Sequence, residues 1–300
     1  MVRTFDEIIS AVKLREKKNI AIAAAADTAV LEAVMAVEDD LGIANCLLIG
    51  DKEGILKTAE KLNYNVKREN IIDVKSDAEA AVTAVKMVNS GEAHMPMKGQ
   101  MQTPDYLRPI LNKENGLRKG NGALCHVGIF EKPDGGLFLL TDAAMTMFPD
   151  INQKIDLIKN AVEVARRLDC ERPKVAMLSF LEHVNLNSEA SKDAAILSKM
   201  AERGQIKNCD IDGPLAFDNA LYEEAAHHKG IFGPVAGKAD ILIAPNIDTG
   251  NPLSKALSMM AGLKFAGLIA GASVPVIMTP RADPISSKVQ SIALCQYMLG

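Results

Sequence analysis

Short apolar runs recur along the first hundred residues of this chain, each separated from the next by room for about one helix. They read NIAIAAA (19–25), ANCLLIG (44–50), IIDV (71–74) and HMPMKG (94–99). A run that is apolar throughout, and not alternating, needs burial on both faces. Parallel strands covered by helices on both sides meet that need, so the pattern predicts βαβ units. The intervening segments agree. Thr4 and Glu7 are spaced as a capping box ahead of Phe5, Ile8, Ile9 and Val12, which share a helical face. A helix is expected from Asp27 to a stop at Gly42, another over 52–62, and a third from the Ser76/Glu79 box to Gly91.

The rhythm breaks at residues 124–142. LCHVGIFEKPDGGLFLLTD holds two strand-like runs around Asp134, Gly135 and Gly136, a hairpin signal. The turn-rich NGLRKGNG just before it marks a domain boundary near residue 118. Beyond it the α/β alternation resumes: a helix over 151–168, the strand KVAMLSF, a helix over 188–203, the strand CDIDG, a helix over 217–229 and the strand ADILIAP. A helix starting at Asn251 then leads to a last strand, VPVIMT, and a last helix over 284–299.

Residues 244–287 concentrate the chemistry. Asn251-Pro252 and Asp283-Pro284 each pair a capping side chain with a proline suited to the first helical position, and Thr103-Pro104 does so upstream. Helix starts carry unpaired N–H groups and the positive end of the macrodipole, which suits phosphate or an oxyanion. Arg108 and Arg281 stand near two of them. Lys98, Gly99, Gln102 and Thr103 follow the strand HMPMKG, and ligands of open parallel sheets bind outside the carboxyl ends of strands. An ordinary strand-to-helix turn with Lys98 as a solvated charge is the competing reading.

The run D-x-x-x-GN-x-x-x-K (Asp248, Gly250, Asn251, Lys255), followed by T-x-R-A-D (Thr279, Arg281, Ala282, Asp283), resembles the phosphate acetyl/butyryl transferase family. MKGQMQT, LNKENGLRKG, HVGIFEKPDGGLFLLTDAAM, GPLAFDNALYEEAAHHKGI and VAGKADILIAP match its butyryl branch in order, so the resemblance runs from about residue 20 to the end. It implies two α/β domains of the isocitrate and isopropylmalate dehydrogenase kind with a cleft between them. The last strand and helix would return to the first domain, giving 1–117 plus 276–300 and 118–275, with Arg281 across from Lys98 and Thr103 on one cleft wall. It also implies reversible exchange of the CoA of butanoyl-CoA, or of a similar short or branched acyl-CoA, for phosphate, with a homo-oligomeric assembly, a dimer or larger. Acetyl transfer, a metal-dependent decarboxylating dehydrogenase on the same fold, and a CoA-binding module without activity are the alternatives.

Such an exchange needs phosphate held near the thioester carbonyl, donors for the tetrahedral oxyanion, a route for the thiol proton, and exclusion of water. It needs no metal, resident cofactor or covalent intermediate; coenzyme A and phosphate are substrates. Arg281 is the expected phosphate anchor because a guanidinium grips two oxygens and stays charged; a surface ion pair with Asp283 competes. In the acetyl enzymes that arginine follows a serine, and here Pro280 stands in its place with Thr279 before it. Their proposed thiol base lies six residues beyond the arginine, where this chain has Ser287, which cannot act as an unassisted base. Asp283 is the available carboxylate, unless it caps the last helix, which would depress its pKa. The resemblance assigns Arg108 to phosphate or CoA, and Asn251 and Lys255 to the cleft, against a plain cap and a solvated charge.

A net charge of -4 argues against a nucleic-acid surface, and the absence of Trp weakens base stacking. No signal-peptide pattern or membrane-length apolar run is found, so a cytoplasmic protein is expected. Five scattered cysteines fit reduced thiols, with a catalytic cysteine the lesser reading. His126 alternates into an apolar strand as a core residue would, His227 and His228 fall on a charged helix, and no spacing suggests a metal site.

Overall fold

The computed structural model describes residues 2–279 and 283–300. It divides into two compact units. One comprises Phe5–Asn121 and Ala266–Gly300, and the other is inserted in it, comprising Gly122–Phe265 with the N-terminal residues through Thr4.

The first unit opens with α1 (Phe5–Val12), which buries Phe5, Ile8 and Val12. Then β1 (Lys18–Ala23), α2 (Thr28–Met35), β2 (Ala44–Gly50), α3 (Lys52–Lys61), β3 (Ile71–Asp73), α4 (Asp77–Ser90), β4 (Met95–Lys98) and α5 (Thr103–Ile110) follow in the expected alternation. Local chemistry sets the boundaries. The Asp27, Asp51 and Ser76 side chains accept the N–H groups of Val30, Gly54 and Glu79 to open α2, α3 and α4. Glu79 accepts from the N–H of Lys75 and not from that of Ser76, so the expected box is closed one residue early.

The inserted unit begins with β5 (Cys125–Glu131) and β6 (Leu137–Thr141), an antiparallel pair in which Glu131 faces Leu137. Next come α6 (Ile151–Arg167), β7 (Lys174–Leu178), α7 (Glu189–Glu202), β8 (Asp210–Leu215), α8 (Phe217–Leu221), α9 (Glu223–His228), β9 (Ile241–Ile243) and α10 (Ile247–Lys255). The helix expected over 217–229 is thus two, separated by Tyr222 in an extended conformation. The strands lie in the order β5-β6-β9-β7-β8. Phe130 stacks on Phe138 at 5.3 Å and meets Phe265 at 4.9 Å, forming the centre of this core with Leu140, Leu215 and Leu242.

The chain then returns through β10 (Phe265–Ala270), β11 (Val276–Ile277) and α11 (Ile285–Leu299). β10 is a strand that the sequence reading passes over. In the first unit the order is β3-β2-β1-β4-β11-β10, parallel except that β10 runs against β11. The α/β expectation holds, with a mixed sheet in place of a purely parallel one. α11 packs on α1 and α2, and Ser287 through Met298 are all buried. Its far end is tied by the Arg15 guanidinium, which donates to the Tyr297 carbonyl at 2.8 Å and lies 4.3 Å over the Tyr297 ring.

Candidate active site

The strand order turns at β1, with β2 and β3 on one side and β4 and β11 on the other. Such a switch point opens a crevice at the carboxyl ends of the strands. The chain leaving β4 there is held closely to the end of β1: the Gly99 and Gln100 N–H groups donate to the carbonyls of Ala23 and Ala24 at 2.8 and 2.9 Å. A Cβ at Gly99 would stand 2.3 Å from the Ala24 oxygen, so only glycine fits.

Lys98 ends β4 and is 5% exposed, its ammonium donating to the Gly99 carbonyl at 3.4 Å. It is therefore not the solvated charge of the competing reading. β11 runs parallel to β4 with Ile277 opposite Met97, the residue before Lys98, and Thr279 comes two residues after the end of β11. Thr279 is buried, and its hydroxyl has no partner among the described residues. Gln102, not Thr103, is the residue flanking α5, and it makes no side-chain cap; Thr103 and Pro104 form the first turn. The leading amides of α5 consequently receive no side-chain acceptor from Gln102.

Asp283 departs most from expectation. The residue flanking α11 is Pro284, with no side-chain cap bond, so Asp283 does not cap the helix. A proline one residue into the presumed helix remains extended, and the helix starts after it. The Asp283 carboxylate is instead half-buried, with Oδ2 enclosed and unpartnered among the described residues. Desolvation pushes its pKa up to about 6, against the lowering influence of the Lys288 ammonium. The expected depression is reversed, and the group becomes a better base near neutrality. Arg281, the expected anchor, lies outside the described residues.

Ser287 is buried in the first turn of α11. Its N–H donates to the Pro284 carbonyl at 3.0 Å, and its carbonyl accepts the Ser291 hydroxyl at 2.7 Å. Lys288 is a group that sequence reasoning missed. It is 5% exposed, and its ammonium donates to the Asp283 carbonyl at 2.9 Å. The signal was present: Lys288 is the only charged residue in ISSKVQSIALCQYML, on a helix otherwise apolar or uncharged. Arg108 sits apart from the strand ends, in the last turn of α5. Its guanidinium pairs with Asp105 at 3.2 Å and borders a groove of about 580 Å³ between α4 and α5, with Lys86 and Asn89.

In the inserted unit the helix start is Asn246, not Asn251. The Asn246 side chain accepts the Thr249 N–H at 3.0 Å, and Pro252 falls inside α10. Asn251 donates its amide to the Ala143 carbonyl at 2.8 Å, fastening α10 to the loop after β6. That loop is wrapped around the buried Asp142, which accepts the N–H groups of Ala144, Met145 and Thr146 at 2.8 to 3.1 Å. A Cβ at Gly250 would meet the Asp142 carbonyl oxygen at 2.2 Å, so glycine permits this contact. Lys255 is exposed in the last turn.

The lesser readings also receive structural answers. Cys125 is pushed up to about 12, while Cys170 and Cys209 are each pushed up to about 11. Burial raises Cys46 and Cys295 as well. Thiols displaced in that direction are poor nucleophiles. His126 is buried 6.5 Å from the Phe265 ring, and His227 and His228 are exposed on α9. Among the described residues there is no group of three or more His, Cys, Asp or Glu able to hold a metal, and no helix long and apolar enough to cross a membrane.

Known proteins share this sequence and fold. Residues 76–296 match the family described as phosphate acetyl/butaryl transferase. The chain is 46% identical over its whole length to the phosphate butyryltransferase of Clostridium acetobutylicum, covering 99% of that relative. It is 43% identical to the phosphate acetyltransferase of Thermotoga maritima over 92% of this chain and 94% of the relative. Its fold is similar to the crystal structure of a branched-chain phosphotransacylase from Enterococcus faecalis V583, with a TM-score of 0.80 and 34% identity over 93% of this chain and 99% of that one. A match over most of the length, carried by sequence as well as by fold, identifies this chain as a member of the phosphate acetyl/butyryl transferase family.

Proposed function

We propose that the protein exchanges the CoA of a short-chain acyl-CoA, butanoyl-CoA foremost, for inorganic phosphate, giving acyl phosphate and free CoA in a reversible reaction. The observation that carries the mechanism is the half-buried Asp283 carboxylate just before α11, with Oδ2 enclosed and unpartnered among the described residues and a pKa of about 6. In the direction that consumes thiol, Asp283 takes the proton from the CoA sulfur. The thiolate attacks the acyl-phosphate carbonyl, the C–O bond to phosphate breaks, and phosphate leaves. In reverse, a phosphate oxygen attacks the thioester carbonyl and the departing thiolate is reprotonated, so protons balance without a redox or covalent step.

Arg281 anchors phosphate in this reading. The Lys98 ammonium, the Thr279 hydroxyl and the α5 amides around Gln102 and Thr103 supply donors for phosphate and for the oxyanion. Arg108 and Lys255, both exposed cations, serve the CoA phosphates. Asn251 and Ser287 hold backbone in place, which their hydrogen bonds support. A homo-oligomeric assembly belongs to the same proposal.

Acetyl transfer is the second reading, favoured by the 43% identical acetyltransferase relative. Each methylene buried in an acyl pocket contributes about 0.8 kcal/mol, so a true butanoyl site favours butanoyl- over acetyl-CoA by roughly tenfold or more in kcat/KM. Phosphate-dependent thiol release from butanoyl-, isobutanoyl- and acetyl-CoA measures this. A preference for acetyl-CoA selects the second reading, and thiol release that does not depend on phosphate defeats both.

A further inference from the structure

A single charge sits on the most enclosed helix of the first unit. Lys288 is 5% exposed on α11, and burying an ammonium costs several kcal/mol unless it is paired. Its described partner is a backbone carbonyl, that of Asp283 at 2.9 Å, reached by folding back over the opening turn of the helix. An ammonium has three N–H donors, and this bond uses one. The residue so gripped is the one whose carboxylate Oδ2 lies enclosed without a partner among the described residues, before a helix start that has no side-chain cap. A nearby amine that held the turn only as a strut could be any neutral donor. A cation adds a charge beside the carboxylate.

Among the described residues Lys288 is the charged group acting on the Asp283 carboxylate. No charged residue of α1, of α2 or of the helical turn over 36–40 with Glu38, Asp39 and Asp40, all packed on α11, acts on it, and β11 carries none. Arg15 and Glu16 meet α11 at its opposite end, at Tyr297 and Gln296.

We propose that Lys288 is a positioning residue for acyl transfer: its ammonium pins the Asp283 turn so that the carboxylate stays off the end of α11, and it provides the positive charge beside the reacting base. The inference rests on Asp283 being that base. Without Lys288 the turn relaxes towards ordinary capping and the carboxylate loses its neighbouring cation.

The test is kcat and kcat/KM against pH, from mildly acidic to mildly basic, with butanoyl phosphate and CoA, for the wild type and for Lys288→Met, Lys288→Gln, Lys288→Arg and Asp283→Asn. Lys288→Met is expected to move the acid limb of the profile to higher pH by about 1 unit, since loss of an opposite charge raises a carboxylate pKa by that order. At a pH just above the wild-type limb kcat falls about threefold, and below the limb nearly tenfold, with KM little changed, and Lys288→Arg returns the limb towards its original place. Lys288→Gln gives the same reading where Lys288→Met does not fold. If Lys288→Met or Lys288→Gln leaves the limb unmoved while Asp283→Asn abolishes it, the Lys288 inference is overturned and the base assignment stands. If Asp283→Asn keeps the wild-type limb, the base assignment fails and the inference fails with it.

Discussion

Two helices of this protein begin in opposite ways. α10 opens on Asn246, whose side chain accepts the Thr249 N–H; Gly250 lies against the Asp142 backbone, and the Asn251 amide is spent on Ala143. α11 opens on Pro284 with no side-chain cap, preceded by a carboxylate oxygen with no described partner and, four residues earlier, by a buried hydroxyl with none. The first start uses its polar groups to hold structure. At the second, polar groups are enclosed at some cost and left available, which a fold tolerates where substrate completes the hydrogen bonding. Both carry an Asn-Pro or Asp-Pro pair, so the dipeptide alone does not separate scaffold from chemistry.

The comparison breaks most readily at Asp283. Asp283→Asn is expected to lower kcat in the thiol-consuming direction by about a hundredfold or more, the usual contribution of a positioned general base. Stability moves the other way. Because the folded pKa is raised to about 6 from 3.8, the carboxylate favours folding when protonated, and that contribution is lost as pH rises through about 6. Thermal unfolding should therefore show Asp283→Asn no less stable than wild type at pH 7, with any advantage vanishing in mild acid.

At the other helix the effects fall on stability. Gly250→Ala forces a methyl group to within 2.2 Å of the Asp142 oxygen and is expected to cost about 1 to 3 kcal/mol, read from denaturant midpoints. Thr279→Val removes a hydroxyl that bonds nothing described, so about tenfold loss of kcat/KM with unchanged stability is expected from paired kinetic and melting experiments. Asn246→Ala costs about 1 kcal/mol of stability through its lost cap and leaves kcat unaltered. Activity loss from Asn246→Ala, or stability loss from Thr279→Val, would blur the distinction between the two starts.

Much of the fold was legible because its signals are local. Apolar runs, capping side chains and helix stops act within a few residues, and β2, α3, α4 and the β5–β6 hairpin lie where those signals put them. β10 was harder to see because FAGLIA follows the mostly apolar ALSMMAGLK, and it pairs with only two residues of β11, Val276 and Ile277. For the site, Lys98, Thr279 and Asp283 were legible by type and position, but their states were not. Burial decides whether Lys98 is a solvated charge and whether Asp283 is depressed or raised, and burial is a property of the packed chain. Asn251 was misread as a cap because the peptide group it bonds, at Ala143, lies more than a hundred residues away in sequence.

The dependence of kcat/KM on pH with butanoyl phosphate and CoA, for wild type beside Asp283→Asn, bears most directly on the claim that the uncapped start of α11 holds the reacting base. The account predicts a wild-type rate rising through an apparent pKa of about 6, with that rise absent from the residual activity of the variant. An identical rise in both proteins, at comparable rates, would contradict it.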